Sequence, residues 1–118
     1  MNTFQITTIG LLLFVAALAV GMALYHAHMA ESAGETGIVY AEDYLAHKTL
    51  GMYGTPMLGM YTCSIMVEVF ALAMQVRRSE LMPTDTIFFV VGATVMLLVC
   101  GWSDMYVRRA ITAARAAA

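Results

Sequence analysis

The sequence predicts an all-α fold: an integral, multi-pass membrane protein whose three transmembrane helices form one small bundle. Three observations predict it. The 118 residues are 61% hydrophobic and only 12% charged, whereas ordinary soluble domains carry about 25% charged residues and a soluble fold this small must cover itself with polar surface. Three stretches, residues 4–25, 56–76 and 86–107, are nearly free of charge. Each is long enough to cross a hydrocarbon core of about 30 Å at 1.5 Å per residue. A single membrane domain covering residues 1–118 accounts for the whole chain, with no internal repeat.

The first span, residues 4–25, carries no charge. A secretory signal would place basic residues ahead of an apolar core of about 7–15 residues. "MNTFQITT" holds no basic residue, and the apolar run after it is longer than such a core. The small residues of "ALAVGMA" resemble a cleavage site, but the segment reads as a retained helix.

Residues 29–55 form the one long polar connection. It opens on "ESAGETG", a loop composition. Residues 38–50 read either as a short interfacial helix or as a surface loop. In the helical reading Ile38, Ala41 and Leu45 share a face, with Glu42 and Asp43 early and His47 and Lys48 late, which suits the helix dipole.

The second span, residues 56–76, starts at Pro56, a residue suited to a first helical turn. It carries Glu68 near its middle. A short connection, "QVRRSELMPTDT", makes the second and third spans an antiparallel hairpin. "PTD" at its end predicts a helix start with Thr84 or Asp85 as N-cap. The third span, residues 86–107, carries Asp104 near its end. "RRAITAARAAA" then continues as a helix-forming, basic, frayed tail.

Threading three spans defines two ends. Side A holds the N-terminus and the second connection; side B holds the first connection and the C-terminal tail. Lys48, Arg108, Arg109 and Arg115 fall on side B against Arg77 and Arg78 on side A, so the basic-side rule places side B in the cytoplasm or its equivalent. The unusual residues also gather at side B: His26, His28, His47, Cys63 and Cys100, with an aromatic belt of Tyr25, Tyr53, Tyr61, Trp102 and Tyr106. Met22, Met29, Met52, Met57, Met60 and Met105 lie nearby. Side A offers little that is comparable, so side B is the expected place for chemistry.

Imidazole is the commonest metal ligand, and sulfur ligands favour Cu(I). His26, His28 and His47 are therefore candidate cofactor ligands for a haem, a pigment or copper, and the same histidines with Asp104 are a candidate metal set. On a regular helix His26 and His28 point about 200° apart, so they share one ion only if the chain frays there. The plainer reading is that they mark where a helix leaves the bilayer. The two cysteines cannot close a four-ligand zinc site.

Glu68 is the second outlier. Tyr61, Ser64, Glu68 and Gln75 form an intramembrane polar stripe at helical spacing. A carboxylate at that depth is neutral, paired or in a wet cavity. Within the chain its expected partners are Thr94, or Thr7 or Thr8 after a register shift; a partner from another subunit is the alternative. Ala17 and Gly21, Ala19 and Ala23, and Thr55 and Gly59 are small-xxx-small pairs suited to close helix contact. Gly10, Ala17, Gly21 and His28 share one stripe of the first span.

A net charge of −2 without a basic cluster argues against nucleic-acid binding, and no acid–base or nucleophile–base constellation marks an enzyme acting alone. Three function classes follow, in order. The first is a small accessory subunit of a larger membrane complex, such as one of energy conversion, with other membrane subunits as partners and bound lipid expected. The second is a redox or metal-handling subunit of electron transport using the side-B histidines. The third is a proton- or ion-coupled homo-oligomeric transporter centred on Glu68.

Overall fold

The computed structural model describes residues 2–31, 42, 44, 48–49, 52–53 and 56–117. Three long helices carry the fold: α1 (Thr3–Ala30), α2 (Pro56–Arg77) and α3 (Pro83–Ala117). All three are long and apolar enough to cross a membrane, which is compatible with a multi-pass membrane protein. Between α1 and α2, β1 (Lys48–Thr49) pairs antiparallel with β2 (Met52–Tyr53), in register Lys48↔Tyr53 and Thr49↔Met52. Glu42 and Tyr44 have helical backbone. A helix through residue 50 is therefore not what forms; by Lys48 the chain is extended and reversing towards α2.

Each helix terminus has a local cause. Asn2 caps α1, its Oδ1 accepting from Gln5 N at 2.9 Å, the usual task of asparagine at that position. α1 then runs past the predicted end, through both His26 and His28, so these rings leave a regular helix in different directions. α2 ends with Ser79 N donating to Val76 O and Glu80 N to Gln75 O. That pair of bonds is a Schellman motif. It places Ser79 at φ 55°, a left-handed conformation usually given to glycine.

α3 begins earlier than its pattern suggested. Neither Thr84 nor Asp85 is the N-cap: Pro83 is the first helical residue, where its missing N–H costs nothing. Asp85 sits two residues further in, and its Oδ2 accepts from Met82 N at 3.1 Å, an acidic side chain reaching back over the first turn. At the other end α3 does not fray after residue 107. Val107, Ala110 and Ile111 are buried and hold the C-terminal turns against the bundle beside Ala30 and Tyr44.

α2 runs antiparallel to its neighbours, and α1 and α3 run parallel with the most extensive packing. The contact face of α1 is a line of residues three, four or seven apart: Phe4, Thr8, Val15, Ala19, Ala23, Ala27 and Ala30. Alanine lets backbones approach closely where no large side chain intervenes. They meet Met57 of α2 and Met96, Cys100 and Val107 of α3. Of the expected small-residue pairs, Ala19–Ala23 is in this seam and Gly59 is buried on α2, whereas Ala17 and Gly21 face outwards; Thr55 lies outside the described residues. The whole Gly10, Ala17, Gly21 and His28 stripe is exposed.

The distribution of polarity is inverted relative to a water-soluble fold. Leu13, Phe14, Phe70 and Leu98 are each more than 60% exposed. Gln5, Thr8, Ser64, Glu68, Gln75, Asp85 and Ser103 are buried. In water this arrangement loses on both counts; in lipid it is the favourable one.

Candidate functional site

Two buried carboxylates, Asp85 and Glu68, lie in the side-A half of the bundle. Asp85 is 0% exposed. Its Oδ1 accepts from Asn2 Nδ2 at 2.8 Å and Gln5 Nε2 at 3.0 Å; its Oδ2 accepts from Met82 N at 3.1 Å and Gln75 Nε2 at 3.4 Å. These donors come from the cap and first turn of α1, from the last turn of α2 and from the connection. Gln5 Nε2 also donates to Thr84 Oγ1 at 3.0 Å. Every partner of Asp85 is a donor directed at it, the arrangement suited to an acceptor-only, ionised carboxylate. One side chain thereby ties all three helices at side A.

Glu68 is built differently. It is 1% exposed, on the same face of α2 as Ser64 and Gln75. Thr8 Oγ1 lies 2.9 Å from its Oε2 and 3.0 Å from Phe4 O. A hydroxyl carries one hydrogen, so both contacts are hydrogen bonds together only when the carboxyl of Glu68 supplies a second. Oε1 of Glu68 has no hydrogen-bond partner among the described residues, and neither does the buried Oγ of Ser103. On the far side of Thr8 stands α3. A Cβ placed on Gly92 would lie 2.9 Å from Thr8 Cγ2, so the glycine is what lets the threonine sit between α2 and α3. Thr94, expected as a partner, is exposed and back-bonds to Val90 O; Thr7 is likewise exposed and bonds Thr3 O.

The polar stripe of α2 therefore divides. Gln75 ties to Asp85, Glu68 to Thr8, and Ser64 back-bonds to Met60 O at 2.7 Å. Tyr61 is half-buried and packs at the edge of the apolar core.

At side B the ring of His26 packs 5.0 Å from that of Tyr44, which donates to Asp104 Oδ1 at 3.1 Å. Arg108 Nε donates to Asp104 Oδ2 at 2.7 Å. Both oxygens of Asp104 thus have protein partners. His28, two residues further along α1, is exposed, and His47 lies outside the described residues. No group of three His, Cys, Asp or Glu side chains converges to hold a metal ion among the described residues. Cys63 is exposed and Cys100 buried. The end of α1, the first connection and α3 do meet at this rim, as the threading predicts, through His26, Tyr44 and Asp104.

The expectation that side A holds little is corrected by the Asp85 node. A signal for it was present. Gln5, Gln75 and Asp85 are polar side chains at the ends of apolar stretches, and threading delivers all three to the same end of the bundle.

The chain matches no known protein family, no curated protein and no solved structure.

Proposed function

We propose that this chain is a multi-pass membrane protein that serves as a packing subunit of a larger membrane assembly. The observation that carries the reading is the division of its polar and small residues. The buried polar groups tie the chain to itself, Asp85 above all. One face of α1, with Gly10, Ala17 and Gly21, stays outside the bundle, and a Cβ on either glycine would meet nothing within 4 Å among the described residues. Such a face suits close approach of a helix from another subunit. Native mass spectrometry of the protein extracted from its own membrane tests this. The expected result is a defined species heavier than the 12.8 kDa chain that contains other membrane polypeptides. A stable, monodisperse single chain overturns it.

A second reading rests on Glu68. A buried carboxyl with one oxygen lacking a partner among the described residues and the other beside a hydroxyl suits a group that takes up and releases a proton within the membrane. It would belong to a proton- or ion-coupled homo-oligomer. Glu68→Gln in reconstituted vesicles is expected to abolish a proton flux while preserving assembly; an unchanged flux removes the reading. A redox role for the side-B histidines has less support, because Asp104 is taken by Tyr44 and Arg108.

A further inference from the structure

The C-terminal turns of α3 present a surface that the packing role leaves unused. Met105, Arg108, Arg109, Thr112, Ala113 and Ala116 line an open groove along the outward face of this helix. The opposite face is anchored by the buried Val107, Ala110 and Ile111, so the groove is rigidly mounted. Arg109 is exposed and has no ion pair or hydrogen bond from its side chain among the described residues. Among the described residues Arg108 uses only Nε, on Asp104, which leaves the remaining guanidinium N–H groups for another acceptor. Thr112 Oγ1 is engaged with Arg108 O, so the arginines are the donors.

Depth identifies the acceptor. The exposed apolar side chains of α3 begin at Ile87 and end at Trp102, Met105 and Tyr106. From Ile87 to Arg108 the helix rises about 31 Å at 1.5 Å per residue, and a hydrocarbon core is about 30 Å thick. Trp102 and Tyr106, both exposed, stack on each other at 5.5 Å just below the arginines, as aromatic side chains do at a headgroup boundary. The arginines therefore come level with lipid phosphates where the apolar band stops.

We propose that this groove seats the headgroup of an anionic phospholipid. Arg109 and the free edge of Arg108 hold its phosphate, and one acyl chain descends past Met105 and the Trp102–Tyr106 stack. The proposal rests on the membrane reading above. It commits to lipid because cations and an exposed apolar track are continuous on one face: the arginines complement the charge and the track accepts the chain.

Trp102 is the only tryptophan and lies two turns below Arg109, about 10 Å along the axis, so its fluorescence reports the lipid there. The full chain is reconstituted in phosphatidylcholine vesicles containing an equal mole fraction of either phosphatidylglycerol or phosphatidylcholine brominated near the top of its acyl chains. Brominated phosphatidylglycerol is expected to quench Trp102 preferentially. Arg109→Gln is expected to lower that preference about fivefold, the effect of one arginine near a charged surface. Arg77→Gln with Arg78→Gln at the opposite end leaves it unchanged. Inorganic phosphate at constant ionic strength is expected not to compete; competition would assign the groove to free phosphate and overturn the lipid seat. Equal quenching by both lipids, or a preference indifferent to Arg109→Gln, also overturns it. Absence of quenching by either lipid overturns the membrane reading itself, a distinguishable result.

Discussion

Thr8 and Glu68 are 60 residues apart in sequence and 2.9 Å apart in space, Oγ1 to Oε2, with both side chains buried. The threonine stands between a carboxyl on α2 and a glycine on α3. Three helices thus meet at one threonine, the hydroxyl facing Glu68 and the methyl facing Gly92, and each contact can be tested separately.

The polar contact comes first. Thr8→Val keeps the shape and deletes the hydroxyl, leaving Glu68 without a hydrogen-bond partner among the described residues. The expected loss is about 1–3 kcal/mol, read from unfolding in mixed micelles. Glu68→Leu added to Thr8→Val should recover most of it, because the orphaned group is then gone. A double variant no more stable than Thr8→Val would refute the pairing.

The steric contact is independent of the first. Gly92→Ala should destabilise by about 1–3 kcal/mol through overpacking, since its Cβ would meet Thr8 Cγ2 at 2.9 Å. Thr8 cannot turn away without breaking its bonds to Phe4 O and Glu68. Gly10→Ala and Gly21→Ala should be neutral or stabilising by up to about 1 kcal/mol in the isolated chain, because none of the described residues stands near either position. On the proposed packing role, Gly21→Ala is nevertheless expected to weaken association with other subunits. Co-purification yield separates the two effects.

Asp85 should be the costliest single polar position. Asp85→Ala leaves the amides of Asn2, Gln5 and Gln75 and the Met82 N–H without their shared acceptor. At about 1–3 kcal/mol for each buried group left unpaired, a loss of more than about 3 kcal/mol is expected. Asn2→Ala removes a cap and one donor and should cost about 1 kcal/mol. Thermal denaturation in detergent that ranks Asn2→Ala above Asp85→Ala would contradict the node.

The turn between α2 and α3 carries a removable strain. Ser79 sits at φ 55°, where a Cβ is unfavourable by about 1–2 kcal/mol. Ser79→Gly should stabilise the hairpin by about 0.5–1 kcal/mol after the added entropy of the unfolded glycine. Ser79→Val should destabilise it. Opposite shifts in melting temperature for the two variants are the check.

The sequence by itself determined the architecture. Nearly charge-free runs long enough for a bilayer favour helices, because an apolar solvent would leave no other partner for the backbone. The short "QVRRSELMPTDT" connection then forces the antiparallel hairpin. Threading also foretold that His26 and Asp104 lie at one end. Tertiary structure alone decided which face of each helix is inside. The runs are apolar all round, so hydrophobic periodicity carries almost no orientation, and both Ala19–Ala23 and Ala17–Gly21 were equally good seams. Only the joint placement of Thr8 against Gly92 and of Gln5 and Gln75 against Asp85 fixes the rotations. Those contacts join residues 80 to 84 apart, or residues across a turn, set by where a buried polar group can find a donor and where a backbone can come close, and no local pattern encodes them.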